Sequence, residues 1–159
     1  MGMLTALGIS IGVLIAVWTY LAAGTAMGLV VWAGIVAWGA YFAAGGGTEG
    51  LKKTIAANVS GAIYAFLAMM VFGAVGGGNT FILAALVGVI AFLMCVQAKV
   101  PLLSFIPGAF LGAATWVGAG GGGAINRESV MIVVSMIVGA LFGYVSDLAA
   151  KKLAKPALA

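Results

Sequence analysis

A chain of 159 residues with 65% hydrophobic side chains, a mean hydropathy of +1.28 and only 6% charged residues cannot present a water-soluble surface, because soluble domains carry about 25% charged residues. The net charge of +4 rests on seven scattered cations, too few and too dispersed for a phosphate-binding patch, so no nucleic-acid partner is expected. Histidine is absent, Cys95 is alone and no helix offers an acidic pair; metal catalysis, histidine relays, Ser-His-Asp chemistry and an intrachain disulfide are excluded, and neither a cofactor nor enzymatic activity is expected.

A helix needs about 20 apolar residues to cross a hydrocarbon core about 30 Å thick. The chain divides into six such segments, at about 3–23, 26–45, 54–75, 80–97, 101–119 and 130–149. Spans of a β-barrel would alternate apolar and polar residues, whereas Phe81–Val96 is apolar on every side. The prediction is an all-α integral membrane protein of six transmembrane helices, one domain over 1–159, with the lipid bilayer as its first partner.

Segment 3–23 lacks a basic stretch ahead of it and is followed almost at once by another apolar run, so it reads as a retained helix and not a signal peptide. Segment 26–45 holds Trp32 and Trp38, which either pack into a core or narrow a path. Segment 54–75 carries Asn58 and Ser60; polar side chains inside a membrane face the bundle interior, where they bond across helices or line a path. Gln97 and Lys99 close the fourth segment, Gln97 as a candidate path residue and Lys99 as a snorkelling anchor.

The fifth segment is the least ordinary. Pro107 removes a backbone donor and crowds the preceding turn, which predicts a bend or break near Leu103–Ser104. Gly108 permits close approach, and Ser104 and Thr115 supply hydroxyls. One reading is a discontinuous helix in which Ser104, Phe105, Pro107, Gly108 and Thr115 line a narrow path; the other is a proline kink absorbed by neighbouring helices. In the sixth segment, Asp147 and Lys151 are spaced for an i,i+4 ion pair. Arg127 and Glu128 form a polar cap at its start.

The glycine-rich loops at 45–48, 76–79 and 118–123 match no nucleotide-binding motif and read as permissive turns. If the N-terminus is cytoplasmic, Lys52, Lys53, Lys99, Lys151, Lys152 and Lys155 all lie inside and only Arg127 outside. That is the positive-inside pattern, with both termini in the cytoplasm. Gly8/Gly12, Gly24/Gly28, Gly108/Gly112 and Gly139/Gly143 each place two glycines on one helix face, a surplus that suggests a homo-oligomer.

The halves 3–75 and 80–149 are distantly alike. Trp32 and Gly34 with the later Phe42 parallel Phe105 and Gly108 with the later Trp116, and Gly61-Ala-Ile-Tyr-Ala-Phe parallels Gly139-Ala-Leu-Phe-Gly-Tyr. With three helices in each half, the second would insert upside down, giving an inverted 3+3 repeat whose axis region is where transporters pass solute. Shared glycine- and alanine-rich composition is the alternative source of the likeness.

Ala91-Phe-Leu-Met-Cys-Val-Gln-Ala-Lys followed by Leu102-Leu-Ser-Phe-Ile-Pro-Gly-Ala-Phe-Leu-Gly-Ala resembles the small bacterial inner-membrane proteins grouped as domain of unknown function 1097, and Ala40-Tyr-Phe-Ala and Phe142-Gly-Tyr fit the same group. The resemblance implies a six-helix bacterial inner-membrane protein and brings no site residues. Val100-Pro-Leu-Leu-Ser-Phe-Ile-Pro-Gly, ending at Trp116, is also similar to the proline- and hydroxyl-containing segment in each half of bacterial urea transporters, with Gly108 where an aromatic residue usually follows. That similarity implies a small neutral solute of urea or amide type. With no carboxylate near a helix centre to couple transport, the sequence favours a passive channel or facilitator. The competing expectation is a non-transporting scaffold or assembly subunit that binds partner helices.

Overall fold

The computed structural model describes residues 1–75 and 78–154, and the described chain forms helices and turns only. In order these are α1 (Met3–Gly24), α2 (Val31–Ala43), α3 (Gly47–Ala74), α4 (Thr80–Val96), two 3-10 turns (Gln97–Lys99 and Pro101–Leu103), α5 (Ile106–Gly118) and α6 (Arg127–Leu153). Lys155 and part of the loop at 76–79 lie outside the described residues. α1, α3, α4 with its following turn, and α6 are long and apolar enough to cross a membrane.

α2 and α5 are shorter than the 26–45 and 101–119 spans expected from composition. Each has 13 residues, about 20 Å at 1.5 Å per residue against a core of about 30 Å. The cause is local. Gly28 takes φ 78° ahead of α2, so Thr25–Val30 approach it as turn and extended chain. Pro107 can sit only in the first turn of α5, where no N–H is needed. The break expected near Leu103–Ser104 is there: one 3-10 turn ends at Leu103, and Ser104 and Phe105 are not helical.

Other ends are capped by side chains. Asn79 Oδ1 accepts from the Phe81 N–H at 2.9 Å, starting α4. Asn126 and Ser129 form a reciprocal capping box at the start of α6. α3 starts on the run Gly45, Gly46 and Gly47, with φ of 97°, 67° and 64°, positive values only glycine adopts readily.

Side-chain neighbours fix the helix directions. Gly34 meets Gly139, Trp38 meets Gly143 and Ser146, and Tyr41 meets Asp147, so α2 and α6 run parallel. Ala57 lies at Gly108, Gly61 at Ala109, and Phe66 at Trp116, so α3 and α5 also run parallel. Ser10 meets Ser146 and Trp18 meets Phe142, so α1 opposes α6. Gly46 lies at Asp147 and Met70 at Gly123, so α3 opposes α6 as well, and α1, α3 and α5 run opposite to α2 and α6. The start of α1, the α2–α3 junction, the α4–α5 turn and the end of α6 share one end of the bundle, which holds Lys52, Lys53, Lys99, Lys151 and Lys152. Arg127 is at the other end, its Nη2 donating to the Met27 carbonyl at 3.3 Å.

Burial repeats along the chain. Ala33, Gly34, Ala37, Trp38, Ala40 and Tyr41 are the buried residues of α2, and Gly108, Ala109, Gly112, Ala113, Thr115 and Trp116 those of α5; each lies 75 positions after its counterpart (108 − 33 = 75, 116 − 41 = 75). Between α3 and α6 the shift is 78 (139 − 61 = 78). It carries Thr54, Ala57, Asn58, Gly61, Ala62, Ala65 and Ala68 onto Ile132, Ser135, Met136, Gly139, Ala140, Gly143 and Ser146, all buried. The Gly61/Gly139 alignment is the one the sequence suggests. The shift of 75 sets Gly34 against Ala109; both stand at close crossings, where a small residue is required and alanine also serves.

The outer helices differ. α1 is pinned to its neighbours: Ser10 Oγ donates to the Ser146 carbonyl at 2.9 Å, and Trp18 Nε1 to the Val31 carbonyl at 2.8 Å. α4 buries only Met94 and stands off α3 and α5 across an apolar groove of about 400 Å³. Of the paired glycines, those of α5 and α6 make close contacts inside the bundle, whereas Gly8 and Gly12 face open space.

At the lysine-bearing end, Tyr41 accepts the Gly47 N–H at 2.7 Å and donates to Asp147 Oδ2 at 2.8 Å, while Lys151 Nζ holds the same oxygen at 2.8 Å. The Asp147–Lys151 pair is the one the spacing predicts. Tyr41 is fully buried, so Tyr41→Phe strands an N–H and loses a bond to a carboxylate. The expected cost is about 2 kcal/mol, read as a lower thermal midpoint in detergent. The exposed Glu49–Lys52 pair at the same end should contribute nothing measurable.

Candidate functional site

The break before α5 lets chain that is not α-helical lie along the first half of α3. The 3-10 turn Pro101–Leu103 packs on α3, and Phe105 folds back over Gly108 where Gly108 meets Ala57. One turn on, Gly112 rests on the backbone of Asn58. Thr54 and Asn58 sit four residues apart on this buried face of α3, at 0% and 1% exposure. Gln97 ends α4 at the same end of the bundle and is 8% exposed.

These three side chains share an electrostatic anomaly. Thr54 Oγ1, both polar atoms of the Asn58 amide and both of the Gln97 amide are buried without a protein hydrogen-bond partner. Each such group costs about 1–3 kcal/mol, so buried amides and hydroxyls are ordinarily paired. The other half shows how pairing is achieved. Ser135 Oγ accepts the Val30 N–H at 2.8 Å and donates to the Met131 carbonyl at 2.6 Å. Ser146 Oγ accepts from Trp38 Nε1 at 3.1 Å and donates to the Gly143 carbonyl at 2.7 Å. Where α3 has Thr54 and Asn58, α6 has Ile132 and Met136, so the packing itself does not call for polarity.

The residues singled out from the sequence fall in three places. Asn58, Phe105 and Gly108 meet at the α3–α5 contact, Thr115 is buried on α5, and Gln97 is buried at the end of α4. Ser104 is only partly buried, and its hydroxyl donates to the Pro101 carbonyl at 2.8 Å; Pro107 is exposed. Both trace the break and neither faces the buried polar group. Trp38 packs against Phe142, ring centroids 5.7 Å apart, as core of the first half. Trp32 is 41% exposed and lies over Gly118 at the far end of α5. Thr54 escapes a sequence reading because it sits one residue after Lys53 and looks interfacial; the signal was its i,i+4 spacing to Asn58.

Grooves of about 280 Å³ (between α3, α5 and α6), 400 Å³ and 450 Å³ (between α1 and α6) are lined, apart from Ser129 in the first, by apolar side chains, and not by Thr54, Asn58 or Gln97. Among the described residues, no group of acidic, histidine or cysteine side chains could hold a metal ion.

Long apolar helices, lysines gathered at one end and an apolar exterior define a helical integral membrane protein. The family profile described as a protein of unknown function (DUF1097) matches residues 8–151, and the chain belongs to that family. It is 37% identical to the inner membrane protein YcdZ of Escherichia coli K12 over 91% of this chain and 83% of that one. It is 36% identical to YcdZ of Salmonella typhimurium LT2 over 91% and 85%. It is also 30% identical to the uncharacterized protein YahC of E. coli K12 over 96% and 93%. No solved structure matches it.

Proposed function

We propose that this chain is a six-crossing bacterial inner-membrane protein with both termini in the cytoplasm, built as an inverted repeat, that passively conducts a small neutral solute. The observation that carries the reading is the set of unpartnered polar atoms on Thr54, Asn58 and Gln97, buried beside a helix break. Broken backbone and bare polar groups are tolerated at membrane depth where they line a path or pack in protein. The alternating helix directions and the 75- and 78-residue burial shifts support the repeat. α2 and α5 would complete their crossings through their non-helical approaches, which places helix breaks on both sides of the repeat axis as transporter folds do. No charged side chain belongs to the polar set, which favours a neutral solute, a non-enzymatic role and passive movement.

Stopped-flow light scattering on proteoliposomes tests this. The wild-type chain should admit one or more of urea, acetamide and glycerol faster than empty liposomes, and Asn58→Leu should return the rate to that of empty liposomes. Acceleration by neither protein would favour a scaffold that binds partner helices through the free Gly8/Gly12 face.

A further inference from the structure

We infer that α4 is a hinged helix that swings onto α3 and α5 and closes the groove of about 400 Å³ between them, taking the position that α1 already holds in the first half. The burial shifts that carry α2 onto α5 and α3 onto α6 make α4 the counterpart of α1; this correspondence rests on the repeat proposed above. α1 is closed: Trp18 is fully buried over Gly34, and Ser10 Oγ donates to the Ser146 carbonyl. α4 is open, with the groove between it and its two neighbours.

The face that α4 turns to the groove carries Leu83, Val87, Ile90 and Met94, spaced three or four residues apart. Burial is uneven along that face: Met94 is 2% exposed and Val87 49%. Met94 joins the core with Ala65 and Ala113, so it is the pivot, and the Leu83–Val87 half is the part that moves. The chain beyond Met94 suits a hinge. It leaves α4 by one 3-10 turn, passes through an extended Val100 and enters a second 3-10 turn at Pro101; short 3-10 pieces of this kind often mark hinges. The four side chains are apolar, whereas Ser10 and Trp18 anchor α1 by hydrogen bonds. α4 therefore docks by dispersion alone, which is readily reversed. The opposite wall is receptive: Ala65, Ala68, Ala113 and Ala114 present small side chains to the groove, so α4 can approach to the axis separation of about 8–10 Å found between packed helices.

Double electron–electron resonance on the full chain in lipid nanodiscs tests the movement, with Cys95→Ala removing the exposed native thiol. Nitroxides on Val89→Cys of α4 and Val145→Cys of α6, both exposed and outside the groove, should give two distances, the shorter from the closed form. The equivalent pair for α1, Val13→Cys with Leu67→Cys of α3, should give one. Ala114→Phe puts a ring into the groove from an exposed position; it should abolish the shorter α4 distance and keep the longer. A single α4 distance without Ala114→Phe would overturn the movement and leave a fixed cleft filled by lipid. Two distances that persist in Ala114→Phe would overturn closure of this groove as their cause. Distance is read without flux, so loss of the facilitator reading and loss of the moving helix give different results.

Discussion

Gly61→Leu and Gly139→Leu should each prevent a folded, monodisperse protein from being recovered. A Cβ on Gly61 would coincide with the Ala109 carbonyl oxygen, and one on Gly139 with the Gly34 carbonyl. The atoms in the way are backbone on the opposing helix, so no rotamer change relieves the clash and two helices must separate. Overpacking a core costs about 1–3 kcal/mol when side chains can shift; here the cost should exceed about 3 kcal/mol because they cannot. A membrane makes the separation more damaging still, since helices associate there by close packing and not by leaving water. Gly8→Ala and Gly12→Ala are the contrast, with open space beside both positions. Fluorescence-detected size exclusion after detergent extraction reads all four. A symmetric peak for Gly61→Leu at wild-type thermal stability would mean that α3 and α5 cross at a greater distance, with room for a side chain between them.

That pair of crossings also marks how far the sequence could be read. Gly61 and Gly139 align by eye, and each lies against the backbone of a facing helix, so those two crossings were legible. At α2 and α5 the glycines mislead: Gly34 and Gly108 stand out, yet the residue that meets Gly61 is Ala109, because the contact selects for small size. Helix count and order followed from apolar runs alone, but the true lengths of α2 and α5 depended on backbone events at Gly28 and Pro107. Pro107 announces a break, whereas a left-handed glycine among 26 glycines announces nothing.

The polar site was half visible. Asn58 and Gln97 stand out as amides in apolar runs, yet whether they are bonded is a property of the folded neighbourhood. Ser135 and Ser146 look no different in sequence and turn out fully engaged. Ser104 and Trp32 stood out for composition and lie away from the polar group, because a hydroxyl can bond its own turn and a tryptophan can lie on the outside of a helix.

Trp18→Ala should be the most damaging truncation outside the glycine crossings, at about 3–5 kcal/mol. The indole is fully buried, covers Gly34, stacks edge-on with Phe142 at 5.8 Å and donates to the Val31 carbonyl, just where α2 begins without a side-chain cap. Alanine would leave a cavity and remove the indole N–H bond to the first turn of α2. Met94, the one residue α4 buries, is the informative comparison. It lines the open groove of about 400 Å³, so hydrocarbon from the bilayer can occupy the space that Met94→Ala vacates. Its cost should fall near the low end for such truncations, about 2 kcal/mol. Thermal unfolding in lipid nanodiscs separates the two. A smaller drop for Trp18→Ala than for Met94→Ala would mean that α4, not α1, is the firmly docked outer helix, and that the tighter packing of the first half does not hold in the membrane.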